Sequence, residues 1–521
     1  MAGPLQTGDL MEPNAAPPEV PTVPAPSGFF GHPKGLSTLF FVEMWERFSF
    51  YGIRPMLILF MIAALGEGGF GYERPYAAAI VGIYASCVYL TSLPGGWIAD
   101  RLLGLRRAIW YGGILIACGH LSIALSAFFD HRTFFLGLVL IVCGTGLLKP
   151  NISAIVGDLY PEGGARRDAG FSVFYMGINF GATFAPLITG LLRVHYGWHI
   201  GFGAAGVGML FGLLTFRLRA KDTLGELGTM ASGTAEQQRM ARRVAFGIIG
   251  AIVLVVLLAF TGILPINPPI IAGWMVKTII TVATLYFAYL FFLAGLNRDE
   301  RKRIVVVLVL FIFSAVFWAA FEQAPTSLNL FAKDFTNRSL FGFEVPPETL
   351  QSVNSFMVIV FAPIFAWFWL WLNRRGINPS SPTKFTWSLA VTGIGFGIMV
   401  IAANRVLAGG GVLKVSMLWL CTSYLFQTFG ELSLSPVGLS SMTKLAPRRF
   451  VGQMMGVWFT ATALGNLIAG LVGGSVDPNK LEQMPALFQR TTLSLVIGAA
   501  VIGALIIPIR KMMRESSMAA H

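Results

Sequence analysis

Residues 36–65 read LSTLFFVEMWERFSFYGIRPMLILFMIAAL, and this stretch decides what kind of chain this is. About 20 mostly apolar residues suffice for a helix to cross a bilayer, and the stretch is longer than that. Glu43, Glu46 and Arg47 stand at i, i+3 and i+4, so they share one helix face, with Tyr51 and Arg54 further along it. Because ionisable groups inside a membrane are costly, this face is a candidate functional site. A local salt bridge that only holds the helix is the alternative.

The composition of the whole chain agrees with a membrane protein. Of 521 residues, 55% are hydrophobic and 12% are charged, and the mean hydropathy is +0.69. A soluble domain carries about 25% charged residues, so a soluble enzyme is excluded. The four cysteines lie in apolar stretches without a C-x-x-C pair, so we expect no disulfide, no metal site and no cofactor.

Hydropathy predicts an all-α polytopic protein with fourteen membrane spans. The predicted spans are 36–65, 76–99, 107–128, 133–157, 168–192, 198–217, 244–264, 270–296, 303–331, 350–373, 385–408, 415–441, 450–474 and 488–510. The spans at 244–264 and 270–296 hold almost no polar residues and are expected to face lipid.

The net charge of +13 follows from topology. With this span count every strongly basic loop falls on one side, which holds roughly three times as many Lys and Arg as the other. Cytoplasmic loops are enriched in basic residues, so both termini are predicted to be cytoplasmic. We therefore do not attribute the charge to nucleic-acid binding.

Further ionisable residues lie in other spans. Lys149, Glu322 and Glu431 each interrupt an apolar stretch. Together with the first span they predict a polar cavity, in which Arg54 and Lys149 could hold a carboxylate and Glu322 an ammonium. Such a cavity suits a zwitterion, and a buried carboxylate beside an Arg is a candidate proton carrier. The nearby aromatic residues could wall side-chain pockets or serve only in helix packing; they are Tyr51, Tyr89, Trp318 and Trp458.

The loop after the second span carries the sequence Gly96-Trp-Ile-Ala-Asp100-Arg101. Asp100 could accept hydrogen bonds from a helix N-terminus or from an Arg and so hold the cytoplasmic face shut. A plain helix cap is the alternative.

Five motifs resemble known signatures. The loop at Asp100 and Arg101 resembles that of the major facilitator superfamily, and Glu43 to Gly52 resembles the E-x-x-E-R-F-x-Y-Y motif of the proton-dependent oligopeptide transporter family. The other three resemble further signatures of that family: Phe174-Tyr-Met-Gly-Ile-Asn179-Phe-Gly181, Phe317-Trp318-Ala-Ala-Phe321-Glu322-Gln323 and Gly430-Glu431-Leu-Ser-Leu-Ser435-Pro436.

This resemblance implies a fold and a domain order. It implies a major facilitator fold of two six-helix bundles plus the two extra helices of bacterial members. We expect a disordered cytoplasmic tail at 1–30, an N-terminal bundle at 31–220, a linker with two extra helices at 221–300, and a C-terminal bundle at 301–515.

The resemblance also implies a function. It implies proton-coupled symport of di- and tripeptides, and of peptide-like drugs, by alternating access. The protein would work as a monomer in the bacterial cytoplasmic membrane, with the proton as coupling ion.

Roles are carried over motif by motif. The resemblance assigns proton coupling to Glu43, Glu46, Arg47 and Glu322. It assigns peptide binding to Arg54, Tyr51, Tyr89, Lys149, Asn179, Trp318, Glu322, Asn354, Glu431, Ser435 and Trp458. It assigns gating to Lys149, Glu431, Asp100 and Arg101.

The chain departs from the family pattern at three places. Phe50 replaces a usual Tyr and removes a hydroxyl from the pocket, Phe321 stands where some members have a second acid, and the second span has no His. In the empty state Arg47 is expected to pair either with Glu322 or with Glu43 and Glu46.

Other functions stay open. A related carrier of nitrate or another small anion or zwitterion is one alternative, although it would not need Glu322. A multidrug antiporter is another, although Arg54 and Lys149 oppose a cationic drug. A membrane enzyme would need a nucleophile–base pair or metal ligands, and the sequence has no H-E-x-x-H motif.

Overall fold

The computed structural model describes residues 28–232 and 234–518, without the side chains of residues 165, 443, 448 and 513–518. The tail predicted for residues 1–30 therefore lies outside the described residues, apart from 28–30 at its end. Residues 29 and 30 belong to a short 3-10 turn, Phe29–Gly31, which leads into the first helix.

In the described residues the chain forms sixteen α-helices. They are α1 (Lys34–Ile62), α2 (Arg74–Leu90), α3 (Ser92–Ile98), α4 (Leu105–Leu125), α5 (His131–Asp158), α6 (Gly164–Tyr196), α7 (Trp198–Leu224), α8 (Ala235–Phe260), α9 (Pro268–Phe292), α10 (Arg298–Phe321), α11 (Asn329–Phe335), α12 (Ser352–Arg374), α13 (Ser381–Ala408), α14 (Leu418–Leu445), α15 (Val451–Gly473) and α16 (Gln483–Met518).

Four two-residue strands lie in loops. β1 (Thr336–Asn337) pairs in parallel with β4 (Val415–Ser416), and β2 (Ser339–Leu340) pairs antiparallel with β3 (Phe343–Glu344). They lie at one end of the helices and do not form a sheet core.

Most of the helices are built to cross a membrane. Twelve helical segments in the described chain are long and apolar enough to do so. Helices α1 and α14, with 29 and 28 residues, are also long enough to cross a membrane. The prediction of an all-α polytopic protein is confirmed.

The spanning helices pack in two groups of six. Helices α1–α7 form the N-terminal bundle, in which α2 and α3 make one span, and α10–α16 form the C-terminal bundle, in which α10 and α11 make one span. The bundles meet where α2 packs on α15 and α6 on α12. Helix α9 lies against α2 and α15 at this seam, and α8 contacts the turn that follows α3.

The molecule has two ends, which we name by the chain. The terminal face carries residue 28, the linker 225–234 and the loop 375–380. The distal face carries the loops 63–73, 336–346 and 474–482.

Two of the predicted spans are interrupted helices, although each still forms one membrane-spanning segment, Arg74–Leu103 and Arg298–Phe335. The span at 76–99 stops at Thr91, whose hydroxyl donates to Cys87 and Val142 carbonyls, and resumes as α3 around Pro94. Proline has no backbone N–H and so interrupts the helical bonding. The span at 303–331 stops at Glu322, before a π-turn at Ala324–Leu328.

Glycines let the two bundles touch backbone to backbone. A Cβ at Gly82 on α2 would lie 2.8 Å from the Cα of Gly470 on α15, and a Cβ at Gly470 would lie 2.7 Å from the Cα of Gly82. Any larger side chain at either position would push the bundles apart. This crossing lies in the distal half of the seam, because α2 begins and α15 ends at the distal face.

Candidate functional site

Glu43, Glu46 and Arg47 of α1 form one cluster, as their spacing predicts. The Nε of Arg47 lies 2.5 Å from Oε2 of Glu46 and 3.1 Å from Oε1 of Glu43. All three residues are buried, with 4% exposure or less. Of the two pairings expected for Arg47, the structure contains the one with Glu43 and Glu46.

Phe50 lies between the two arginines of α1. Its ring centre is 5.3 Å from Cζ of Arg47 and 5.6 Å from Cζ of Arg54, and its ring stacks on Tyr84. A guanidinium within about 6 Å of an aromatic centre is attracted by the ring. Phe50 is 4% exposed, so it acts as a buried spacer between two charges.

Arg54 makes the central link between the bundles. It donates from Nη2 to Oε2 of Glu322 on the C-terminal bundle, and it lies 3.3 Å from Oδ1 of Asn466 on α15. Arg54 and Glu322 are 7% and 4% exposed. Removing one partner of such a buried ion pair strongly destabilises the protein, because the other charge is left buried without compensation.

The break in α10 places Glu322 at this position. Glu322 is the residue after the last helical turn, with φ −75° and ψ 5°, so its carboxylate lies at the negative end of the helix dipole. The pairing with Arg54 offsets this unfavourable field. The next residue, Gln323, holds the break by donating to the Thr491 hydroxyl of α16 at 3.1 Å and accepting from Ser327 at 3.2 Å.

A second link between the bundles joins the two proline-containing segments. Asn329 at the start of α11 donates to the carbonyl oxygen of Pro55 in α1 at 2.6 Å. The segment between Glu322 and Asn329 includes Pro325 and lies against α1 and α15. The irregular backbone therefore sits inside protein, where its polar groups find partners.

Lys149 and Glu431 lie on facing bundles and in this conformation bond elsewhere. The Nζ of Lys149 lies 4.1 Å from the ring centre of Tyr89, within the N-terminal bundle. Glu431 accepts from Nδ2 of Asn354 at 3.3 Å, and Asn354 also donates to the hydroxyl of Thr428. The expected Lys149–Glu431 gating pair is thus not formed among the described side chains.

The remaining predicted peptide-binding residues are placed on four helices. Asn179 donates to the Tyr175 carbonyl of its own helix, at 2.9 Å. Trp318 and Trp458 are 9% and 6% exposed. Ser435 is half-buried on α14, four residues from Glu431.

Several atoms of this region are buried with no hydrogen-bond partner among the described atoms. They are Oε2 of Glu43, Oε1 of Glu46, Nη2 of Arg47, Nε of Arg54, Nε1 of Trp318 and Oγ of Ser435. Buried polar atoms are nearly always bonded, so such a group indicates a functional region. These are the atoms at which a proton or a polar ligand would gain bonds.

The loop with Asp100 and Arg101 does not join the bundles. The Asp100 carbonyl accepts from the backbone N–H and the hydroxyl of Ser232, and Arg101 donates to Gln237 at 2.6 Å. These contacts attach the linker 225–234 and α8 to the N-terminal bundle. In this conformation the Asp100 side chain is exposed and its carbonyl bonds the linker, so a role in holding the terminal face shut stays a prediction.

Two ion pairs that join the bundles at the distal face of the described chain escaped the sequence analysis. Arg74 bonds Asp334 at 2.7 Å, and Arg193 on α6 bonds Glu348, just before α12. The side chain of Glu348 has no exposed surface and that of Arg193 is 18% exposed. In the sequence these residues look like ordinary loop or helix-end charges, and only the packing of one bundle on the other brings them together.

The positions of the bonds between the bundles show which end of the molecule is closed. Among the described side chains, hydrogen bonds and ion pairs that join the bundles lie at mid-depth or at the distal face. The Gly82–Gly470 crossing lies on the same side. The bundles are therefore closed against each other at the distal face.

Two six-helix bundles that meet across buried ion pairs and broken helices define a transporter of the major facilitator class. Irregular backbone and charge near the middle of a membrane mark the substrate and ion sites of such carriers. In the described residues no cluster of side chains is arranged to hold a metal ion.

Comparison with known proteins narrows the class. The POT family model matches residues 106–221 and 273–486. The chain is 52% identical over 495 residues to the peptide transporter YePEPT of Yersinia enterocolitica, covering 94% of this chain and 96% of that protein. It is 38% identical over 450 residues to a di-/tripeptide transporter of Lactococcus lactis, covering 84% and 89%.

A solved structure agrees with the fold. The crystal structure of peptide transporter POT in complex with sulfate superposes with a TM-score of 0.84 at 39% sequence identity, covering 93% of this chain and 97% of that one. The chain belongs to the POT family. It is accordingly a transporter with the major facilitator fold and not an enzyme, as the motifs indicate.

Proposed function

We propose that the chain is a proton-coupled symporter that imports di- and tripeptides by alternating access. The observation that carries the proposal is the buried pair between Arg54 and Glu322, which joins the two bundles at the break in α10. Protonation of Glu322 removes the charge that holds Arg54. The freed guanidinium then takes the carboxylate of a peptide, and the peptide ammonium is held by the remaining acids of the region.

The named relatives support this substrate class. Proteins similar over most of this chain are called a peptide transporter and a di-/tripeptide transporter. A zwitterionic backbone with a free carboxylate and a free ammonium matches the mixture of Arg54, Lys149, Glu322 and Glu431. Peptide-like drugs with the same two ends would share the site.

The orientation in the membrane follows from charge. The terminal face carries roughly three times as many Lys and Arg as the distal face, so we place it in the cytoplasm. The protein would then be a monomer in the bacterial cytoplasmic membrane with both termini inside. With the distal face outside, the described conformation is closed to the exterior.

Protonation of Glu322 supplies a large part of the free energy that the conformational change needs. Leaving one member of a buried pair unpaired costs about 3–5 kcal/mol, and a shift of about 5.5 kcal/mol carries a two-state equilibrium from 1:99 to 99:1. Loss of the Arg54–Glu322 pair therefore supplies a large part of the change, and peptide contacts supply the rest.

Uptake into proteoliposomes tests the proposal. Radiolabelled dialanine should accumulate faster when the exterior is acidic, and a protonophore should abolish the accumulation. Unlabelled di- and tripeptides should compete, whereas nitrate and free amino acids should not. Uptake that ignores both the pH gradient and the protonophore would overturn proton coupling, and competition by nitrate alone would replace the peptide with an anion as substrate.

A further inference from the structure

An apolar groove lies between the extra helix α9 and the C-terminal bundle. It has a volume of about 1190 Å³ and is bounded by α9, α10, α15 and α16. Its walls are mainly aromatic and aliphatic, with Phe287, Phe291, Phe311, Ile468 and Leu487 among them. The walls belong to helices that span the membrane, so the groove opens toward lipid rather than toward water.

One charged side chain lies at the distal end of this groove. Arg490 on α16 lines it and is exposed, and it has no hydrogen bond or ion pair with any described residue. It stands seven residues inside a helix that begins at Gln483, and a rise of 1.5 Å per residue puts it about 10 Å below that end. An unpaired guanidinium at this depth requires an anion or must extend to the headgroup layer.

The floor of the groove near Arg490 is polar. Thr491 and Gln323, which bond each other at 3.1 Å, line it together with Ser475 and Gln483 at the distal end. The remainder of the groove runs from this polar end toward Phe292 and Leu308, nearer the terminal face. A molecule with an anionic head and long apolar chains fits this distribution.

We propose that the groove binds an anionic phospholipid of the distal leaflet, with its phosphodiester on Arg490 and its acyl chains along α9 and α10. Arginine pairs with phosphate through two parallel hydrogen bonds, which makes Arg490 suited to this contact. The bound lipid would lie directly behind the break in α10, because Gln323 both lines the groove and holds that break.

Lipid binding can be measured without any transport assay. The full-length protein is purified, stripped of lipid, and titrated with phosphatidylglycerol or phosphatidylcholine while native mass spectrometry counts the bound molecules. Hydrogen bonds to a charged group contribute about 1.5–3 kcal/mol, which is about tenfold or more in affinity. We expect Arg490→Gln to weaken phosphatidylglycerol binding by at least that factor and to remove the preference for it over phosphatidylcholine.

Three further variants make the result specific. Arg490→Lys keeps the charge but loses the second parallel hydrogen bond, so its phosphatidylglycerol binding should lie between that of Arg490→Gln and that of the unaltered protein. Ala486→Trp fills the groove from α16 and should reduce the binding of both lipids. Lys480→Gln removes a basic residue from the distal loop 474–482, outside the groove, and should leave the binding of both lipids unchanged. The apparent melting temperature of each variant without lipid shows that it is folded.

Several results would overturn the proposal. Equal binding of the two lipids by the unaltered protein would leave only ordinary annular lipid. Equal effects of Arg490→Gln and Lys480→Gln would remove the specific role of Arg490. Unchanged binding by Ala486→Trp would place the lipid elsewhere. Equally tight binding of sn-glycerol 3-phosphate, which has no acyl chains, would make this a phosphate site rather than a lipid site.

Discussion

Among the described residues, Arg54 and Glu322 form the one ion pair between the bundles in which both partners are buried. The other arginine of α1, Arg47, pairs through Nε with Glu43 and Glu46 on the same helix and makes no bond to a described residue of the other bundle. Arg54 instead bonds Glu322 and Asn466, which lie on two different helices of the other bundle. The state of Glu322 therefore decides whether Arg54 holds the bundles together or is free to bind substrate.

Replacing Glu322 with Gln should separate exchange from proton-driven uptake. The carboxamide has nearly the same shape but carries no charge and cannot take up the coupling proton. We expect Glu322→Gln to lose accumulation of dialanine against a gradient by at least tenfold, while counterflow of labelled for unlabelled peptide stays within a few-fold. Both are measured in the same proteoliposomes.

The control for this experiment is an exposed acid of the distal face. Glu67→Gln removes a carboxylate from the loop 63–73 without touching the seam. Concentrative, protonophore-sensitive uptake by Glu322→Gln would show that another acid, such as Glu43 or Glu46, carries the proton.

Phe50 should contribute more to stability than its volume predicts. Replacing it with Leu removes the ring contacts to Arg47 and Arg54, each worth about 0.5–2 kcal/mol. We expect Phe50→Leu to lower the apparent melting temperature in detergent more than Phe385→Leu, which deletes a fully buried ring that has no recorded cation contact. Phe50→Tyr keeps the ring, so its apparent melting temperature should be close to that of the unaltered protein. Equal shifts for Phe50→Leu and Phe385→Leu would contradict a role for the guanidinium contacts.

At the scale of the helices, the sequence predicts what happens within one element better than what happens between two. The cluster of Glu43, Glu46 and Arg47 follows from residue spacing on a single helix, and the structure contains it. The breaks at Thr91 and Glu322 do not follow, because hydropathy averages over both halves of a broken helix. The bonds at these breaks, from Thr91 to Val142 and from Gln323 to Thr491, join residues that are 51 and 168 positions apart in the chain.

The close crossing of α2 and α15 should tolerate no side chain. An added methyl group at Gly82 would lie 2.8 Å from the Cα of Gly470 and 2.9 Å from the carbonyl oxygen of Asn466. Overpacking a tight contact costs about 1–3 kcal/mol. We expect Gly82→Ala to lower the apparent melting temperature and to slow uptake several-fold, since the distal half of the seam no longer closes.

A matched glycine on an extra helix serves as the control. A Cβ at Gly250 in α8 would meet no atom within 4 Å, so Gly250→Ala should leave uptake unchanged. Normal uptake and stability in Gly82→Ala would mean that the crossing is not needed for closure.

At the scale of the whole molecule, the ends of the bundles differ in how they are joined. The fold class and the two six-helix groups follow from hydropathy and motifs. The ion pairs that close the distal face do not follow, because Arg193 and Glu348 are 155 residues apart and acquire their burial only when the bundles meet. Opening this face exposes Glu348 to water and removes its need for a partner. The pair therefore stabilises the closed distal face rather than the fold of either bundle.

Breaking the Arg193–Glu348 pair should open the distal face. In Arg193→Gln the Glu348 carboxylate, whose side chain has no exposed surface, is left buried without its cation, and this costs about 3–5 kcal/mol in the closed state only. Since about 1.4 kcal/mol is a factor of ten, the closed-to-open ratio should fall at least a hundredfold.

The measurement uses a protein in which the native cysteines Cys87, Cys118, Cys143 and Cys421 are replaced. Spin labels are attached at Ala127→Cys and Val412→Cys, on distal loops of opposite bundles. The distance between the labels, measured by electron paramagnetic resonance, should be longer in Arg193→Gln than in the protein with Arg193. Arg74→Gln should have a smaller effect, because the Asp334 carboxylate that it leaves is 14% exposed to water and keeps Lys333 at 3.9 Å, whereas the Glu348 side chain has no exposed surface. The swap Arg193→Glu with Glu348→Arg rebuilds the pair and should restore the short distance, whereas an unchanged distance in Arg193→Gln would show that the pair does not hold the distal face closed.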